Sequence, residues 1–72
     1  MSTRPIKRSL TLKGHRTSVS LEDEFWQAFR EIAELQDKPI NVLAAEIDAT
    51  RDLETGLATA IRLFVLRHFR AR

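Results

Sequence analysis

Seventy-two residues make at most one small domain, and a chain this short buries too little surface to be comfortable alone, so pairing with a second copy is the expected remedy. The lack of cysteine excludes disulfides and thiolate metal sites, and no apolar run is long enough to span a membrane or act as a secretory signal. The net charge of +2 is modest but unevenly spread, with Arg4, Lys7, Arg8, Lys13 and Arg16 unopposed by any acid over residues 1–16.

Residues 1–5 are short, polar and terminal, and are expected to be disordered. Ser9-Leu10-Thr11-Leu12-Lys13 alternates polar and apolar side chains and places Leu10 and Leu12 together. It can extend a ribbon, form a separate strand or dock as an arm on a partner, and the sequence leaves these three open. Gly14 marks a break, so residues 1–14 are taken as a basic N-terminal arm.

The main strand is placed at residues 15–21, where alternation puts Arg16, Ser18 and Ser20 on one face and Thr17, Val19 and Leu21 on the other. A single strand is not a sheet. Its backbone hydrogen bonds are expected to go to a second copy of the chain, which gives an intermolecular two-stranded antiparallel ribbon.

The period changes to that of a helix at residues 22–36, with Ser20 or Glu22 as the cap and Glu22, Asp23 and Glu24 at the end that favours negative charge. Phe25, Phe29, Ile32 and Ala33, flanked by Trp26 and Leu35, form its apolar stripe, and Gln27, Arg30, Glu31 and Glu34 form a solvated side. Asp37-Lys38-Pro39 ends this helix, because the residue before a proline resists the helical region. A second helix follows over residues 39–50, with Val42, Leu43, Ala44 and Ile47 available for burial. Residues 51–72 hold a connection and a third helix over residues 57–69. Its start is open, since Asp52 could cap a longer helix with Gly56 inside it. Ile61, Leu63, Phe64, Val65, Leu66 and Phe69 cover more than one stripe, so this helix is expected to touch both its own subunit and a partner.

Arg16-Thr17-Ser18-Val19-Ser20-Leu21, followed by a helix of about four turns, a short connection and a helix opening near Asn41, resembles the ribbon-helix-helix DNA-binding family of Arc and Met repressor-like proteins. The segment from Lys7 to Asp48, with Gly14-His15-Arg16-Thr17-Ser18-Val19 and Phe25-Trp26, is similar to a small bacterial subfamily of it. The resemblance implies a mainly α fold with one short β-strand: a ribbon-helix-helix core at residues 15–50 in an intertwined homodimer, with a third C-terminal helix added. It also implies a paired strand laid into the DNA major groove. Family members commonly carry Gly, Ser or Thr, and Asn or Ser at alternate positions of the turn between the helices. Here those positions are Asp37, Pro39 and Asn41, so only Asn41 fits the pattern.

On this reading Arg16, Ser18 and Ser20 contact base edges, because arginine can donate two parallel hydrogen bonds to guanine and a hydroxyl can donate or accept. Phosphate contacts are expected from Lys7, Arg8, Lys13 and Lys38, and from the amides of Ile40 and Asn41 at a helix start. The plainer reading of the last two is an ordinary helix start with Asn41 bonding locally. Val19, Leu21, Phe25, Trp26, Phe29, Ile32, Leu43 and Ile47 are expected to form the dimer core.

No catalytic constellation, metal-ligand spacing or nucleotide-cradling glycine loop is present, so neither an enzyme nor a cofactor is expected. The expected function is a cytoplasmic bacterial transcription regulator, most simply a repressor, that binds double-stranded DNA as a homodimer with higher oligomers on DNA allowed. The alternative is a homodimeric protein-interaction module that grips a partner through residues 57–69, as an antitoxin does.

Overall fold

Two residues in succession with positive φ, Lys13 at 51° and Gly14 at 85°, turn the chain back on itself. The computed structural model describes residues 4–71, and the disorder expected of residues 1–3 lies outside them. Positive φ at both central positions matches the right-handed twist of the strands a two-residue turn joins. The result is a hairpin of β1 (Ile6–Leu12) and β2 (His15–Leu21), paired antiparallel from Ile6 opposite Leu21 to Leu12 opposite His15.

The ribbon expected at residues 15–21 is therefore present, but its second strand comes from the same chain. This corrects the single strand, since residues 6–12 form a second one. Residues 6–12 are not a loose arm either. The Leu10 and Leu12 alternation is a strand pattern of its own, and a tight turn brings it beside β2 without the cost of recruiting a second molecule.

Three helices follow: α1 (Asp23–Leu35), α2 (Ile40–Thr50) and α3 (Leu57–Arg70). Asp23 and Glu24 lie in the first turn of α1, and Arg67 and Arg70 in the last turn of α3, each where the helix dipole favours its charge. The end of α1 is closed by two amides, Lys38 donating to the Ala33 carbonyl at 2.9 Å and Asp37 to the Glu34 carbonyl at 3.0 Å. That pair of bonds requires a left-handed residue between them, and Asp37 takes it with φ 55°. Asp37 thus adopts the conformation for which the family pattern supplies glycine. Gly56 stands immediately before α3 as its cap, which settles the start of that helix at residue 57.

The core is formed by Leu10, Val19 and Leu21 from the ribbon, Phe29, Ile32 and Ala33 from α1, Leu43, Ala44 and Ile47 from α2, and Ile61 and Val65 from α3. Phe29 meets Phe64 edge to face with ring centroids 6.3 Å apart, joining the first and third helices. Val19, Leu21, Phe29, Ile32, Leu43 and Ile47 are buried and Phe25 and Trp26 half-buried, all within one chain. In the single chain they share one cluster with Leu10 of β1 and with Ile61 and Val65 of α3. Among the described residues no helix is long and apolar enough to cross a membrane.

Candidate nucleic-acid interface

Side chains directly opposite one another in a paired ribbon share a face. The register therefore sorts the hairpin into an inner face of Ile6, Arg8, Leu10, Leu12, His15, Thr17, Val19 and Leu21 and an outer face of Lys7, Ser9, Thr11, Arg16, Ser18 and Ser20. Every residue of the outer face is polar and exposed. Across the strands Lys7 faces Ser20, Ser9 faces Ser18 and Thr11 faces Arg16, so hydroxyls occupy the middle and a cation lies toward each end.

The placement of Arg16, Ser18 and Ser20 together is as read from alternation. Lys7, expected among phosphate contacts, joins the same face, and Ser9 and Thr11 complete it. The signal for the last two was in the sequence, in the alternation of Ser9, Leu10, Thr11 and Leu12, but it needed the pairing with β2 to become a face.

A two-residue turn is flanked by a hydrogen-bonded pair, and such pairs alternate along an antiparallel ribbon. Residues 7, 9 and 11 and residues 16, 18 and 20 therefore aim their backbone groups away from the partner strand. Two of these groups find side chains. The Thr11 amide donates to Asn41 Oδ1 at 3.0 Å, tying β1 to the start of α2. The Ser20 carbonyl accepts from Arg62 at 3.0 Å, tying β2 to α3.

Arg62 also donates through Nε to Glu22 at 2.9 Å and lies 5.9 Å from the centre of the Phe25 ring. The guanidinium hydrogen bond, with support from a backbone hydrogen bond, holds the Glu22 carboxyl below its usual range. Glu22 is thus a clasp between the start of α1 and α3, and its side chain does not cap its own helix.

The expected phosphate contacts divide. Lys13 is exposed at the tip of the turn beside His15. Arg8 instead faces inward, within 3.3 Å of Asp23 Oδ1 and 5.4 Å from the centre of the Trp26 ring, with its Nε buried and unpartnered. Its position opposite Val19 decides this, since alternation alone puts residue 8 on the inner face. Lys38 is held by Glu46 at 2.8 Å. At the start of α2, the Val42 and Leu43 amides donate to the Pro39 carbonyl, which leaves those of Ile40 and Asn41 without a backbone acceptor. The Asn41 side chain is committed to β1, in place of the local bond.

A paired ribbon about 4.8 Å between strands enters a major groove about 12 Å wide without distorting it. With hydroxyls central and cations at both ends, the outer face can exchange hydrogen bonds with base edges and meet phosphates on either side. The family model for the ribbon-helix-helix domain matches residues 5–69. The chain belongs to the ribbon-helix-helix family. Family members are generally DNA-binding transcription regulators that form dimers, and they are typically not enzymes. The match takes in β1 and almost all of α3 as well as the two-helix core, so hairpin and third helix are parts of this ribbon-helix-helix domain. No curated protein and no solved structure is similar enough to count as a match.

Proposed function

We propose that this ribbon-helix-helix chain is a sequence-specific transcription regulator of the bacterial cytoplasm, which binds double-stranded DNA as a homodimer and represses by occupying its operator. The observation that carries this reading is the outer face of the ribbon. Helices cover the inner face only, and no apolar side chain interrupts the outer one. Arg16, Ser18 and Ser20 read base edges, while Lys7 and Lys13 and the free amides at Ile40 and Asn41 meet phosphates. Arg8 and Lys38 contribute to the local field from their ion pairs.

The test is selection of bound duplexes from a random pool, followed by titration of the best site with the wild type, Arg16→Ala and Ser18→Ala. Loss of a bidentate arginine contact is worth about 1–3 kcal/mol, so Arg16→Ala should weaken binding roughly 5- to 150-fold and relax preference at one position. Affinity should also fall steeply with salt. A pool that enriches no sequence would remove the reading.

A second reading draws on α3, where Leu63 and Leu66 are exposed. Residues 57–69 would then dock on a partner protein or on the second copy. Such an apolar interface tolerates both added salt and Arg16→Ala, which groove binding does not.

A further inference from the structure

One stretch of β2 lacks neighbours on two sides at once. The outward backbone groups of Arg16 and Ser18 meet no partner among the described residues, whereas the Ser20 carbonyl is taken by Arg62. On the inner face of the same stretch His15 and Thr17 are exposed, although Leu12 and Leu10, opposite them on β1, are half-buried and buried. A second copy that joins β2 edge to edge supplies both the missing hydrogen bonds and the missing cover. The far edge of β1 is already engaged at Thr11, whose amide is held by Asn41 at the start of α2.

A dimer joined in this way has four strands, with the two copies of β2 in the centre and a β1 on either side. With neighbours about 4.8 Å apart, each β2 lies about 2.4 Å from the dyad and each β1 about 7 Å from it. A major groove about 12 Å wide reaches only about 6 Å to either side of its midline. The β2 strands therefore fit inside the groove, and β1 falls at its walls, where the phosphates stand. The outer face of β1 has the chemistry for that place. Lys7, Ser9 and Thr11 are all exposed, each can donate a hydrogen bond to a phosphate oxygen, and no acid stands among them to repel one. Beside Thr11 lies the helix start whose Ile40 and Asn41 amides have no backbone acceptor, so the donors form one continuous row.

We infer that the outer face of β1 is a phosphate clamp, in which Lys7, Ser9 and Thr11 grip the DNA backbone at both walls of the groove while Arg16 and Ser18 of the paired β2 strands read bases between them. This rests on the DNA reading above, adds Ser9 and Thr11 to its contacts and gives the two strands of the hairpin different tasks.

Two measurements test this on the full chain. The first concerns the order of the strands. The chain has no cysteine, so Ser18→Cys and Ser9→Cys each place a single thiol on the outer face. A short bis-maleimide should couple Ser18→Cys into a covalent dimer and leave Ser9→Cys monomeric, because the latter thiol is about 14 Å from its mate across three strand spacings. Any other pattern overturns the inference.

The second is selection from a random duplex pool with the wild type, Lys7→Ala, Ser9→Ala and Thr11→Ala, each variant first checked for an unchanged melting temperature. All three variants should enrich the wild-type motif. They should nevertheless bind the selected site and a scrambled duplex more weakly by the same factor, about 2- to 10-fold for a lost phosphate hydrogen bond. Lys7→Ala should also reduce the salt slope by about 1. A motif that changes at one base pair in Ser9→Ala or Thr11→Ala would put β1 inside the groove and refute the clamp. Unchanged affinity in both of those variants would refute it too, while leaving DNA binding intact. No enriched motif even for the wild type would remove the clamp and the DNA reading together.

Discussion

Leu10→Ala tests whether β1 belongs to the core of its own chain. Leu10 is 2% exposed and packs in the same cluster as Val19, Leu21 and Leu43. The substitution removes three carbons at about 0.8 kcal/mol each, or about 2.4 kcal/mol of transfer free energy, before any cavity is counted. A strand at the edge of a hairpin can settle into part of the space, so a total of about 3 kcal/mol is expected, at the lower end for buried leucine truncations. In a domain of this size each kcal/mol moves the melting temperature by about 4–8 °C, which predicts a drop of roughly 12–24 °C. Thermal unfolding followed by circular dichroism would measure it, with Ser9→Ala as the control, because Ser9 lies on the exposed outer face beside Leu10. If Leu10→Ala melts within about 4 °C of the wild type, corresponding to less than 1 kcal/mol, β1 is not docked and the intrachain ribbon is wrong.

Asp37 offers a sharper backbone test. Its φ of 55° is one that side chains other than Asn and Asp resist, so Asp37→Ala should be about 1 kcal/mol less stable than Asp37→Gly in urea unfolding, although both remove the same charge. Equal stability of the two would contradict the left-handed cap. The Glu22 clasp predicts a pH dependence. A carboxyl whose folded pKa is lowered contributes stability above its unfolded range and loses it as pH falls through the folded value. Glu22→Gln should therefore melt below the wild type at neutral pH and converge with it on acidification, and a gap that stays constant across the acid range would count against the clasp. Salt provides the remaining check: removal of Lys13, exposed at the turn, should weaken DNA binding uniformly across sequences and reduce the salt slope by about 1.

Much of this architecture can be read from local periodicity. Alternation placed Arg16, Ser18 and Ser20 on one face, helical spacing placed Phe29, Ile32, Leu43 and Ile47 inside, and Pro39 separated the helices within a residue or so of where they part. The pattern at Leu10 and Leu12 was equally visible, but a strand pattern does not name its partner. An edge that needs hydrogen bonds is satisfied as well by a second copy as by a neighbouring segment.

Charges show the same division. Arg8, Lys38 and Arg62 look alike in a list of basic residues, yet one lies near Trp26 and Asp23, one is held by Glu46 and one clasps Glu22 and the Ser20 carbonyl. The sequence by itself determined which residues alternate, which recur every third or fourth place and which can turn the chain, because those preferences act over a few bonds. Only the tertiary structure decided that β1 completes the ribbon and which cations remain on its outer face. Strand pairing and ion pairing join residues up to 40 positions apart here, and at that separation geometry in space sets the partner.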